Sequence, residues 1–339
     1  MVKKVLVLCI ASFSLIVVAL SIVKVPHLAD SLNIFSTTEI NSISGAPGSD
    51  GSVMVVKIDD TQAARPQAGL ESADLVYIEQ VEGGLTRLAA VYSSRIPEIV
   101  GPVRSARISD IELLSQYGKV AFAYSGAQKK MWPVIASANL FDIGATKYGP
   151  SYYANDPSRI PPTAMMLKSN DLMTHIKENG ILPVVSRKMG WNFSEESTTK
   201  AKPVLAAHFS WPASSYDITW ANSRFELSHL GTPDFAASGE RLYADTFIAQ
   251  IVSITDSIYH DKVGGVTPFS ATVGQGSCYL LRDGGYLPCT WSRSSPESGT
   301  IFYDLDGSEI SFARGQIWFA LTAKEPVFTP QDATTSATK

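Results

Sequence analysis

Cysteine is scarce: Cys9, Cys278 and Cys289 are the only three in 339 residues. That excludes a small scaffold held together by disulfides and a thiolate metal cluster. Charge of one sign is also lacking, with 28 basic side chains against 32 acidic ones. Nucleic acid is therefore not an expected partner, because phosphate contacts need a concentrated basic face. The five histidines, His27, His175, His208, His229 and His260, stand at no metal-ligand spacing, so neither a metal nor another cofactor is expected. Nucleophile-elbow and phosphate-loop motifs are missing. Ser197-Thr198-Thr199-Lys200 has the spacing of an activated serine but lies in a polar stretch with no helix to hold it. Gly274-Gln275-Gly276 leads into a strand rather than a helix, so it reads as a turn or bulge.

What is present is a globular composition, 45% hydrophobic and 18% charged, with length for roughly two domains at about 100 to 200 residues each. The chain opens with Lys3 and Lys4, followed by an uncharged run from Val5 to Val23. As a helix that run is about 28 Å long, enough to cross a bilayer with the lysines cytoplasmic. A cleavable signal peptide is the rival reading, its best cleavage site at Ala19-Leu20-Ser21 falling inside the apolar run. Residues 1–25 are thus read as a transmembrane signal anchor with the folded domains extracytoplasmic, and 26–51, polar and ending in a Gly/Pro/Ser cluster, as a flexible linker.

The fold class expected is α+β. A mixed α/β N-terminal domain spans 52–198, a β-rich C-terminal domain spans 203–323, and 325–339 forms a disordered tail. In the first domain Ala73–Val81 and Leu85–Ser94 flank Glu82-Gly83-Gly84 and read as a hairpin. Ser105 is expected to cap a helix to about Tyr117, with Ile108, Ile111 and Leu114 on its buried stripe. Further helices are expected at Gln128–Ala138 and Ser169–Asn179.

Two features of the first domain carry chemistry. Pairing Val81 with Leu85 across the turn sets Glu79 opposite Arg87 on a face that also holds Leu75, Tyr77, Ala89 and Val91. A lone ion there would cost several kcal/mol. The two are therefore either a structural ion pair or part of a ligand site. Arg104 and Arg107 bracket Ser105 at the expected helix start, where cations oppose the helix dipole. An anion could stabilise them, in the manner of carboxylate and phosphate sites; internal acids such as Glu79, Glu82 or Asp59 could equally do so. In the second domain the two-residue turn Asp283-Gly284 pairs Arg282 with Gly285 and, counted outward, Cys278 with Cys289. Pro288 then falls at a non-hydrogen-bonded position, and an oxidising compartment would close the disulfide.

Ile58-Asp59, Ala64-Arg65-Pro66-Gln67, Gly69-Leu70, Ala73-Asp74, Val81-Glu82-Gly83-Gly84, Thr86-Arg87 and Gly101-Pro102-Val103-Arg104-Ser105-Ala106-Arg107 together resemble the YerB-like family, bacterial proteins named as lipoproteins. Ala244-Asp245, Thr290-Trp291, Asp306-Gly307 and the Gly315 to Trp318 spacing extend the resemblance over roughly residues 50 to 322. It implies an extracytoplasmic, membrane-attached protein of two successive domains of unknown function, and no catalytic assignment. Three departures stand out. Arg159-Ile160-Pro161-Pro162 replaces a Pro-His-Asn-like segment, Asp59-Asp60 replaces Asp-Asn, and an apparent anchor replaces the acylated cysteine. The ligand-binding candidates are Arg65, Glu79, Glu82, Arg87, Arg104, Ser105 and Arg107. They are expected to hold an anionic wall component or an envelope protein. The alternative is a cell-wall glycan or peptide hydrolase that uses paired carboxylates.

Overall fold

The structure is a computed structural model describing residues 39–196 and 199–331. The expected anchor, the first half of the expected linker, Ser197 and Thr198 of the Ser-x-x-Lys match and residues 332–339 lie outside them. No helix among the described residues is long and apolar enough to cross a membrane.

The strand β1 (Met54–Asp59) is buried along its whole length, as befits a run of β-branched and apolar residues with neighbours on both edges. It pairs antiparallel with β3 (Thr86–Tyr92) and parallel with Val120–Ala123. β3 pairs in turn with β2 (Leu75–Gln80), Glu79 opposite Arg87 as the turn demands. β2 continues, in parallel, onto Ile317–Thr322, with Leu75 beside Ile317 and Ile78 beside Ala320. That pairing joins the two sequence segments into one sheet of sixteen strands. The composition change near residue 200 therefore marks a change in helix content, not a break in the hydrogen-bonded framework.

Alternation along the strands divides the buried side chains between two faces. Val56, Ile58, Val76, Ile78, Leu88 and Ala90 fill one. Val55, Leu75, Tyr77, Ala89 and Val91 fill the other, and Lys57, Glu79 and Arg87 share it by register. The helix α1 (Ile108–Ser115) lies at this second face. Its buried residues are Ser109, Asp110, Leu113 and Leu114, not the Ile108, Ile111, Leu114 stripe read from apolar spacing, because Asp110 turns inward to a buried lysine. The helices at Trp132–Ser137 and Ser169–Glu178 match expectation; Ala145–Tyr152, kinked at Gly149 with Pro150 inside, does not carry a helical pattern and was not expected.

Two stretches assigned to flexible ends are packed. Asn41, Ile43 and Ser44 are buried within the expected linker, because Asn41 donates to Ser93 Oγ at 3.0 Å and Ser44 to Asp74 Oδ1 at 2.7 Å. Val327–Pro330, within the expected tail, forms a strand on Lys202–Trp211, and Phe328 stacks on Tyr286 at 3.9 Å. Asp283 and Gly284 both adopt positive φ, the primed turn that fixes hairpin register. Cys278 lies opposite Cys289 and the pair is bonded, Cα atoms 4.7 Å apart.

Candidate functional site

Register across three strands places Asp59, Arg87 and Glu79 side by side on β1, β3 and β2. The side chains do not pair as that row suggests. Lys57, one step back on β1 and fully buried, donates to Glu79 Oε1 at 2.7 Å and to Asp110 Oδ1 at 2.7 Å. The expected Glu79–Arg87 ion pair is therefore absent, since a closer lysine takes the glutamate. Burial pushes the Glu79 carboxyl up to about 7 against the pull of Lys57, with Asp110 adding repulsion. Glu79 Oε2 is buried and has no hydrogen-bond partner among the described residues.

Arg104 and Arg107 are each held by an acid. Arg104 Nε lies 2.6 Å from Asp59 Oδ2, and its Nη1 donates to the Pro162 carbonyl at 3.2 Å. Arg107 donates to Glu82 Oε2 from Nε at 2.9 Å and Nη2 at 2.7 Å, while its Nη1 donates to the Ala106 carbonyl at 3.0 Å. Thr267 donates to the other Glu82 oxygen. Burial works against the Glu82 charge, but these donors outweigh it and hold its carboxyl below the usual range. Ser105 does not cap α1. That position belongs to Arg107, whose backbone N–H donates to Asp110 Oδ2 at 2.5 Å, so the acid that the helix dipole favours is present one turn later than expected. Ser105 instead offers its carbonyl to Arg87 Nη1 at 2.9 Å.

Arg87 is the exception in this cluster. It is 8% exposed, and that one bond to a neutral carbonyl is all that its side chain makes among the described residues. Burial and the nearby Arg107 and Arg104 charges hold its guanidinium down to about 9, outweighing Glu82 and Asp59. Four of its N–H donors remain unused. The side chain of Arg104 is 22% exposed, and the Ser105 and Ser125 hydroxyls lie 3.5 Å apart beside these arginines. The free donors are thus on Arg87 and Arg104; Arg107 is taken up by Glu82 and by backbone carbonyls.

The structure puts Arg65 elsewhere, in a ring of hydrogen bonds between the two sequence segments. Its Nη2 donates to Asp60 Oδ1 at 2.6 Å and to Tyr216 at 3.0 Å, its Nη1 meets Asp234, and its Nε donates to His229 Nδ1 at 3.1 Å. Because arginine can only donate, His229 Nδ1 accepts and its proton sits on Nε2, 3.1 Å from Ser214 Oγ. Ser214 bonds Thr86 at 2.7 Å, and Thr86 donates to Asp60 Oδ2 at 2.5 Å, which closes the ring. Burial and Arg65 drive the His229 imidazole down to about 3. An imidazole that donates to a serine cannot deprotonate it, so Ser214 is not an activated nucleophile. A pocket of about 210 Å³ opens beside the ring, lined by Thr61, Leu85, Ala213 and Leu230 among others.

Sequence reasoning missed Lys57, Asp110, His229, Tyr216 and Asp234. The detectable signal was Lys57, a charge set between the apolar Val56 and Ile58 of β1. No group of His, Cys, Asp or Glu among the described residues could hold a metal ion.

Two family models match the chain: the N-terminal domain of a protein of unknown function, DUF3048, over residues 42–182, and the C-terminal domain of the same family over 205–319. The chain belongs to the DUF3048 family. Among its relatives is "Putative lipoprotein YerB" of Bacillus subtilis (strain 168), 37% identical over 81 residues, which is 23% of this chain and 24% of that protein. The aligned stretch thus spans about a quarter of the relative's length. The crystal structure of the YerB protein from Bacillus subtilis superposes with a TM-score of 0.71, covering 86% of this chain and 99% of that one at 17% identity. At that identity the likeness between the two structures is one of fold.

Proposed function

We propose that this DUF3048 protein is a membrane-attached, extracytoplasmic protein of the cell envelope that binds an anionic group of the wall, or of an envelope protein, at Arg87 and Arg104. The envelope assignment draws on the lysine-flanked apolar run at residues 5–23, on the lipoprotein in the relative's name and on the Cys278–Cys289 bond, which suits an oxidising compartment.

The observation that carries the binding reading is Arg87. A buried guanidinium without a carboxylate is costly, and two neighbouring arginines make it more so. Such an arrangement is stabilised by an incoming anion, which finds preformed forked donors on a partly buried surface. The hydrolase alternative is weaker. Each candidate acid is held by a cation, Glu79 by Lys57, Glu82 by Arg107 and Asp59 by Arg104. Glycoside cleavage needs two carboxyl groups facing the substrate.

The test is co-sedimentation of the full chain, in detergent, with purified anionic wall polymer at low ionic strength, with neutral polysaccharide as the control. Retention by the anionic polymer alone, lost in Arg87→Met and reduced in Arg104→Ala, is the expected result. Equal retention of Arg87→Met and wild type would overturn the assignment.

A further inference from the structure

The cluster around Arg87 is balanced before any ligand arrives. Lys57, Arg87, Arg104 and Arg107 face Asp59, Glu79, Glu82 and Asp110. An anion placed on Arg87 would leave this buried group with one uncompensated negative charge, which in a low-dielectric interior costs several kcal/mol. Solvent counterions cannot reach Glu79 or Lys57, at 1% and 0% side-chain exposure. A proton can.

Only one of the four carboxylates has room for it. Asp59 accepts Thr61 on Oδ1 and holds Arg104 on Oδ2. Glu82 accepts Thr267 on one oxygen and Arg107 on the other. Asp110 takes Lys57 on Oδ1 and the Arg107 N–H on Oδ2. Glu79 takes Lys57 on Oε1 alone, and its Oε2 is unbonded. It also shares its lysine with Asp110, so protonating it leaves Lys57 paired.

We propose that the site takes up one monovalent anion together with one proton, and that Glu79 carries the proton on Oε2. This rests on Arg87 being the anion's partner. The ligand class follows from the count: a carboxylate or a phosphodiester brings one charge, and a dianion would need a second proton that no other carboxylate here can accept. The step is balanced, with the proton drawn from solvent when the anion enters and returned when it leaves. The charged groups around Glu79 are Lys57 and Asp59 from β1, Arg87 from β3, and Arg107 and Asp110 from the start of α1. Ile317–Thr322 beside β2 and the Val266–Ser270 strand bring no titratable side chain. With its titration already displaced into the neutral range by burial, the carboxyl needs little further push.

The experiment is calorimetric titration of the full chain with acetate and, separately, with dimethyl phosphate, neither of which titrates near neutrality. Runs at about pH 6 and about pH 8, both below the Arg87 titration, at constant ionic strength and each in two buffers of different ionisation heat, count the protons. Affinity should fall as pH rises, by up to roughly tenfold per pH unit above the Glu79 titration, with about one proton taken up per anion at about pH 8 and far less at about pH 6, where Glu79 already holds its proton. Glu79→Gln should bind alike at both pH values, and the proton count in the wild type decides the matter even if that variant fails to fold. The probe bound more tightly tells a carboxylate partner from a phosphodiester one. Wild-type binding without pH dependence or proton uptake would overturn the coupling and leave the Arg87 site standing. Binding of neither probe at either pH would overturn the site itself.

Discussion

Arg65, in the loop after β1 and 11% exposed, and Arg87, on β3 and 8% exposed, are both largely removed from solvent, and they are served in opposite ways. Arg65 has two carboxylates, a tyrosine and an imidazole around it. Although burial works against its charge, Tyr216, Asp60 and Asp234 outweigh it and raise the guanidinium above its ordinary value. Arg87 has one backbone carbonyl and two like charges, and is lowered. A buried charge that is fully paired marks construction, and one left open marks a place for something not yet bound. The difference separates a joint between two sequence segments from a site.

The comparison can be broken most forcefully at Arg65. Arg65→Met strands Asp60 and Asp234 in the interior and should cost about 3 to 5 kcal/mol of stability, read from chemical denaturation of the full chain. A loss under about 1 kcal/mol would remove the distinction. A change remote from both arginines calibrates the scale. Replacing Cys278 and Cys289 with serine releases the hairpin and should cost roughly 2 to 3 kcal/mol.

Smaller effects appear in the pH dependence, where the two regions have opposite signs. His229 is neutral when folded, its value moved from 6.5 to about 3. Its contribution is present above pH 6.5 and is lost as pH falls toward 3, when the unfolded chain takes a proton that the folded ring refuses. Glu79 moves from 4.5 to about 7, so its contribution is fullest below 4.5 and declines as pH rises toward 7. Denaturation midpoints of His229→Gln should lose the acid decline, and those of Glu79→Gln the decline between these two values. Profiles unchanged by either substitution would mean that neither group titrates as its surroundings dictate.

Much of this was legible in the sequence where a turn fixes register. Glu82-Gly83-Gly84 and Asp283-Gly284 fixed the opposition of Glu79 to Arg87 and of Cys278 to Cys289. Register gives backbone neighbours, however, and not where a long side chain ends. Lys57 sits in a run that reads as plain core, and nothing local reveals that it takes Glu79 from Arg87. The shared sheet was hidden because β2 and Ile317–Thr322 meet in parallel across more than two hundred residues, with no connecting turn to read. Polar composition misled at residues 40–51 and 327–330, since Asn41, Ser44 and Phe328 are held by partners far along the chain.

The most direct measurement is the stability of Arg87→Met by denaturant titration, with and without dimethyl phosphate at low ionic strength. If Arg87 is a cation left without a direct carboxylate partner and kept for a ligand, the apolar replacement is as stable as the wild type or more so, and the anion, which raises the wild-type midpoint, leaves the variant unmoved. A loss of about 3 to 5 kcal/mol, the scale expected at Arg65, or an equal response to the anion in both chains, would contradict it.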